Sequence, residues 1–407
     1  MYAHSRAIAR AAFVALAIAA AWSAGAAEAP KTIRIGYAIS LSGVNAQGAA
    51  TTTLPGYDLW VKDVNDKGGI MVKEFGKRIP VEVVAKYDDT SNAETLLRLE
   101  EKLMSQDKVD FVLPPWSTGF NLAAAPIFAK YGYPQLAVTA NANDEEQLVK
   151  QFPTLFFFLN QPMHFGAAMI EILDSLKAAG KINNKIVLLS VGDQFGAEFA
   201  AGFGAGLKGA GYDIVLQKSY PLGAADLTNE IKEAKASGAD TFIAGSYPPD
   251  TFMLAGTAIT QGYNPKIYYT AVGTAFAEFG ASFKGKADGV LGIGGWDPNL
   301  PGAQDYYKRQ VALTGHAPDG WASPVTYASL QILEQAIEKA GALDRKKVID
   351  AIANGGPWET ISGPIDLKTH IRERQWGVGQ WQNGQFVGVS PGDMAGAKPV
   401  LFPKPAW

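Results

Sequence analysis

VLPPWSTGFNLAAAPIFAKYGYPQLAVTAN, running from Val112 to Asn141, is the stretch that decides the fold. It opens inside an apolar run, Val109 to Leu113, with the length and β-branched content of a buried parallel strand. The loop Pro114-Pro115-Trp116-Ser117-Thr118-Gly119 follows, then a helical run from Leu122 to Tyr131 that Gly132 closes. Pro134 to Val138 reads as the next strand and ends in Thr139-Ala140-Asn141. Two neighbouring parallel strands therefore present their C-terminal ends together, and in an open α/β sheet ligands sit at that edge. Trp116, set between Pro115 and Ser117, has no helical or strand stripe to join, so it reads as a flat apolar wall. Thr118, Thr139 and Asn141 would supply directed hydrogen bonds beside it.

The same grammar extends outward in both directions. Upstream, a strand from Thr32 to Leu41 meets Ser42-Gly43, a helix covers Pro55 to Val64, and a strand from Ile79 to Tyr87 ends at Asp88-Asp89. A helix capped by Asn92 follows. Downstream lies a strand near Leu155 to Leu159, after which the pattern restarts as a second α/β unit. Its strands are Lys185 to Ser190, Ile214 to Ser219, Thr241 to Gly245, Lys266 to Thr270 and Gly289 to Ile293. Helical runs separate most of them, as a doubly wound sheet requires. Helices follow at Ala303 to Val311, Ser323 to Ala340 and Arg345 to Ile352. A hairpin is then expected about Asn383-Gly384, a dipeptide suited to two-residue turns. Pro391 to Trp407 reads as an extended surface tail.

Composition limits what such a chain can do. Its 407 residues are enough for two domains with full cores. The net charge of −3, with no basic stripe, leaves no footprint for nucleic acid. Arg6 and Arg10, the apolar run Ala11 to Ala21 and the small residues Ala24-Gly25-Ala26 form a signal peptide over residues 1–27, cleaved near residue 26–27. An exported protein could hold disulfides, but the chain has no cysteine, which also removes thiol and iron–sulfur chemistry. No pair of the four histidines has metal-ligand spacing, so neither metal nor cofactor is expected. Gly204-Ala205-Gly206-Leu207-Lys208-Gly209 matches G-x-G-x-x-G, but it falls inside a helical run rather than directly after a strand, so it is read as a chance match. Gly280 to Ala287 is a phosphate-loop near-miss that lacks the final Ser or Thr.

Two further residues stand at strand ends of the second unit. Phe195, in Asp193-Gln194-Phe195-Gly196, reads first as core, the usual place for a single Phe. Asp250, in Ser246-Tyr247-Pro248-Pro249-Asp250, is either a first-turn helix acid or an anion facing a cleft; composition leaves both open.

Taken in order, these pieces resemble the branched-chain amino-acid-binding family of type I periplasmic solute-binding proteins, the receptors of ABC importers. The likeness rests on Ile35-Gly36-Tyr37, Leu41-Ser42-Gly43, Asn65-Asp66-Lys67-Gly68-Gly69-Ile70 and Tyr87-Asp88-Asp89. It continues through Asp193-Gln194-Phe195-Gly196, Gly245-Ser246-Tyr247-Pro248-Pro249-Asp250 and Gly363-Pro364-Ile365. It implies an α/β fold of two doubly wound parallel-sheet lobes joined by three crossovers, placed near Leu159, Gly294 and His370. Lobe 1 would comprise 28–158 plus 295–370, lobe 2 159–294 plus 371–390, and the tail 391–407.

The resemblance also implies an interlobe site built from Trp116, Ser117, Thr118, Thr139, Ala140, Asn141, Phe195, Tyr247 and Asp250. Thr118 and Asn141 would take a ligand carboxylate and Asp250 its ammonium. Asp250 is one methylene shorter than the family's usual Glu, and Phe195 lacks the hydroxyl of the Tyr often found there. The implied function is a periplasmic receptor for a small hydrophobic or aromatic amino acid of branched-chain type, monomeric and partnered by a membrane permease. The alternatives are a receptor for an aromatic or branched carboxylic acid or short amide, and an exported α/β enzyme using Asp88, Asp89 or Asp250. A ligand sensor that transports nothing would use the same closure.

Overall fold

The computed structural model describes residues 28–297 and 299–407, so the expected signal peptide lies outside the described residues. The strands in chain order are β1 (Ile33–Ile39), β2 (Ile70–Val72), β3 (Lys77–Ile79), β4 (Val81–Asp88), β5 (Phe111–Leu113), β6 (Gln135–Ala137), β7 (Leu155–Phe157) and β8 (Lys185–Val191). They continue as β9 (Asp213–Tyr220), β10 (Thr241–Gly245), β11 (Ile267–Thr270), β12 (Leu291–Ile293), β13 (Trp358–Thr360), β14 (Gly363–Ile365), β15 (Val378–Gln382) and β16 (Gln385–Ser390).

Two α/β lobes result. In the first, β4-β1-β5 form a parallel sheet, β6 comes alongside β5, and β6 pairs in parallel with β7. In the second, seven strands run in the order β16-β15-β12-β11-β10-β8-β9. The block from β12 to β9 is parallel; β8, β10, β11 and β12 are buried almost throughout, whereas the edge strand β9 alternates exposed and partly buried residues. The hairpin β15-β16 closes the β12 edge antiparallel to it. Asn383 and Gly384 turn that hairpin with φ of 51° and 75°, the positive pair that a type I′ turn demands.

The chain passes between lobes three times, and the passages are bonded to one another. Phe157 N–H donates to His370 O (2.8 Å) and Arg372 N–H to Phe157 O (2.9 Å). Gly294 N–H donates to Gly377 O (3.2 Å).

Several elements differ from the sequence expectation. The β2-β3 hairpin, the β13-β14 hairpin and the helix Glu145–Gln151 are short pieces between longer patterns. The C-terminal segment runs over the surface but is anchored. Trp407 stands edge-on to Tyr268 at 5.1 Å, and Lys404 is buried beneath the indole.

Three helices begin with turns that hydrophobic spacing does not mark, at Thr118 (rather than Leu122), Gln194 and Pro248. Their first turns combine caps, glycine and proline with at most one large apolar residue, Phe120 or Phe195. Ser117 Oγ accepts from Phe120 N–H and Asp193 Oδ1 from Gly196 N–H. The G-x-G-x-x-G match lies in the last turns of Gln194–Gly209, which removes its dinucleotide reading. Among the described residues no cluster of side chains has metal-ligand geometry, and no helix is long and apolar enough to cross a membrane.

Candidate ligand site between the lobes

The strand-to-helix turn after β5 builds one wall. Pro114 and Pro115 have no N–H to give a sheet, so the chain leaves β5 extended and its carbonyls are free to accept. Tyr57 hydroxyl donates to Pro114 O (2.8 Å), and Asn121 Nδ2 donates to Pro115 O (2.9 Å). Trp116 then folds back over the helix Ala46–Thr52, and its Nε1 donates to Thr52 Oγ1 (2.9 Å). Gly48 makes this possible, since a methyl there would sit 2.0 Å from Trp116 Cζ2. Ser117 takes φ of 89°, a conformation that costs a non-glycine residue of order 1–3 kcal/mol. In exchange it turns the chain so that Thr118 begins a 14-residue helix at the cavity.

The loop after β6 packs on the same turn. Thr139 Oγ1 donates to Pro115 O and accepts from Ser117 N–H. Asn141 N–H donates to Thr118 Oγ1 (3.3 Å). Asn141 is buried, and its side-chain Oδ1 has no partner among the described residues.

The second lobe supplies an aromatic face. Tyr247, at the start of the helix Pro248–Thr260, stacks on Phe195 at 5.1 Å and meets Trp116 of the first lobe at 5.2 Å. Its hydroxyl donates to Asp193 Oδ2 (2.8 Å), which fixes the ring.

Between these walls is a cavity of about 20 Å3. Trp116, Ser117, Thr118, Thr139, Asn141, Phe195 and Tyr247 all line it. Of the nine residues expected at the site, the structure brings these seven together. Ala140 points the other way, into a small cluster with Ala125, Ala137 and Leu155.

Asp250 stands apart from these residues. It sits at the third position of its helix, where Oδ2 accepts from Tyr247 N–H (3.3 Å) and from Tyr220 hydroxyl (3.4 Å). It does not line the cavity, so the first-turn reading of this acid is the one the geometry shows. Burial pushes its carboxyl up to about 6. Asp89 is likewise drawn into the first lobe, bonded to Ser40 hydroxyl and Ser91 N–H, and Asp88 accepts from the Leu41 and Ser42 amides. Among the described residues, no carboxylate lines the cavity.

The sequence reading missed Thr52, Leu159, Val272, Trp321 and Ala322. Val272 could have been found, because it follows β11 as Thr139 follows β6. Trp321 carried the same signal as Trp116, an aromatic in a loop directly before a helix. It is seated by Asp319, whose carboxylate caps Ala322 and Ser323 N–H (3.0 and 2.6 Å), and it lies against Gly294, where a methyl would meet its Cδ1 at 2.1 Å.

Two lobes, three bonded crossovers and strand-end loops facing one another across a small cavity describe a hinged binding fold, and the comparisons agree. The description "Periplasmic binding protein" is that of the family whose profile matches residues 32–385. The chain belongs to the periplasmic binding protein family. Among its relatives, the Leu/Ile/Val-binding protein homolog 7 of Brucella abortus (strain 2308) is 25% identical, over 96% of this chain and 99% of that protein. The branched-chain amino acid transporter substrate binding protein LivJ of Streptococcus pneumoniae, solved in complex with isoleucine, superposes with a TM-score of 0.74 at 22% identity. It covers 88% of this chain and 98% of its own. A solute binding protein of R. palustris, solved with benzoate, superposes at 0.72 with 18% identity, covering 88% and 95%. These similarities span essentially the whole described fold, and the family consists of binding receptors.

Proposed function

We propose that this chain is the exported receptor of an ABC importer. It captures a small hydrophobic or aromatic amino acid, of branched-chain type, between its lobes and delivers it to a membrane permease without chemical change. The observation that carries this reading is the pairing, on one cavity, of an anion-binding helix start with an unpaired acceptor. The first turn at Ser117-Thr118-Gly119 offers the Thr118 hydroxyl and the positive end of a long helix to a carboxylate. Asn141 lines the same space, and its unpaired Oδ1 would accept from the α-ammonium. Trp116, Phe195 and Trp321 would enclose the side chain.

A cavity of about 20 Å3 holds roughly one water, so an amino acid enters only when the Trp116–Tyr247 contact separates. Motion about the three crossovers provides this, and a ligand bonded to both lobes favours the closed arrangement. The relatives named for leucine, isoleucine and valine, and the one solved with isoleucine, support the ligand class.

A second reading, an aromatic or branched carboxylic acid without an amine, is favoured by the lack of any carboxylate on the described cavity wall. The relative solved with benzoate points the same way. A thermal-shift screen of amino acids, their amine-free analogues and short amides decides between them, since a binder raises the midpoint by mass action. Leucine, isoleucine or phenylalanine should shift the midpoint more than the matched acids. A larger shift with the acids would replace the first reading by the second, and a ligand recovered altered would restore the enzyme.

A further inference from the structure

Behind the Trp321 indole, which also walls the interlobe cavity, lies a second and larger cavity of about 670 Å3 at the hinge. That volume falls within the range of small-molecule sites, roughly 300–1,000 Å3. Residues of the second crossover (Gly295 to Asp297) and of the third (Arg372 to Trp376) line it, with the loop before β14 and the C-terminal segment at Met394-Ala395. Three indoles, Trp296, Trp321 and Trp376, give it an aromatic lining.

One cation on the wall of this cavity carries an unpaired donor. Arg372 Nη1 is sealed from solvent and has no hydrogen-bond acceptor among the described residues. Of the four acids that line the cavity, three are engaged elsewhere, and the fourth, Glu373, is exposed and makes no ion pair with Arg372 among the described residues. Asp393 pairs with Arg374 (2.6 Å), Asp366 accepts from Lys368 N–H (2.8 Å), and Asp297 accepts from Asn299 (2.9 Å). Burial pulls the Arg372 guanidinium down to about 10, so it remains a cation at neutral pH. Arg372 is only partly buried, but a sealed guanidinium nitrogen without an acceptor is costly, and a bidentate carboxylate is the partner that best relieves it.

We propose that this hinge cavity is a second ligand site, one that takes a monocarboxylate with an aromatic or branched apolar body, the carboxylate on Arg372 and the body among the three tryptophans. Its walls belong to two crossovers, so their spacing changes whenever the lobes swing. Occupancy of the hinge site and of the interlobe site are therefore linked, each altering the other's affinity by the same factor. The site does not depend on which ligand the interlobe cavity takes.

The probe is indole-3-acetate, compared with the neutral indole-3-acetamide, titrated calorimetrically into the mature protein. Four forms are compared: wild type, Arg372→Met, Ala395→Trp and Thr118→Val. Ala395 is exposed on the C-terminal segment, so a tryptophan there fills the cavity while Arg372 and the core stay intact. The indole-3-acetate binding that persists in Thr118→Val should be at least about tenfold weaker in Arg372→Met and Ala395→Trp. The amide should bind wild type more weakly by a similar factor. Either of the two hinge variants suffices should the other fail to fold. Binding lost in Thr118→Val but kept in Arg372→Met would place the probe in the interlobe cavity and overturn the proposal. So would equal affinity for acid and amide, or no binding to wild type at millimolar concentration.

Discussion

Thr118→Val is the perturbation that isolates the proposed carboxylate contact. Valine has nearly the shape of threonine, so the buried position keeps its packing and loses one hydroxyl. That hydroxyl accepts from Asn141 N–H at 3.3 Å and lines the interlobe cavity. Loss of a hydrogen bond to a charged group costs about 1.5–3 kcal/mol, which is roughly a 10- to 150-fold rise in Kd. The orphaned Asn141 amide should lower stability by a further 1–3 kcal/mol or so, readable separately as a shift of the denaturation midpoint. Isothermal titration of leucine and of 4-methylpentanoate, its amine-free analogue, into both proteins is the assay. If either molecule binds wild type, the substitution should weaken it by the stated factor, because both carry the carboxylate. A Kd within about threefold of wild type, with a cooperative unfolding transition retained, would refute the role given to the helix start.

Gly48→Ala should displace the Trp116 indole and break its bond to Thr52. About 1–3 kcal/mol of stability should be lost in denaturant titration, with weaker ligand binding alongside. Asp250→Asn tests burial of that carboxyl by its pH dependence. Its folded pKa lies near 6 against 3.8 in the free group, so between those values the fold keeps a proton that the unfolded chain has released. Stability from this group therefore falls as pH rises from about 4 to about 6. Relative to wild type, the Asn variant should be more stable at pH 7 than at pH 4 by on the order of 2 kcal/mol. A pH-independent difference would mean that Asp250 is solvated. Tyr247→Phe removes the donor to Asp193 Oδ2 and should cost about 1–2 kcal/mol in thermal or denaturant unfolding, since that acid is largely enclosed.

The architecture was legible because parallel strands buried on both faces read as short apolar runs, and β5, β8, β10 and β11 all do. The hairpin at Asn383-Gly384 was legible from turn chemistry alone. What hydrophobic spacing could not mark is the first turn of each helix. Ser117-Thr118, Asp193-Gln194 and Pro248-Pro249 carry caps and prolines, and these turns carry much of the interlobe cavity wall. There the strand-end rule pointed to Thr118, Asn141 and Phe195 and the resemblance to Tyr247, whereas the side-chain direction of Ala140 and Asp250 depends on packing that no spacing encodes. Asp250 satisfies the geometry of a helix acid through Tyr247 N–H, a local bond that competes with any role in the cleft. Trp321 was lost for a different reason: it comes from the far side of two crossovers, some 200 residues beyond Trp116, and only the folded hinge brings it to the cavity.

A crystal structure of the mature protein soaked with the strongest binder of the thermal-shift screen tests the central claim most directly. The account predicts a carboxylate within hydrogen-bond distance of Thr118 Oγ1 and the amides that open its helix, with the ligand's apolar group held by Trp116 and Phe195 from opposite lobes. Density for that ligand confined to one lobe's outer surface, with the Trp116–Tyr247 contact undisturbed, would contradict it.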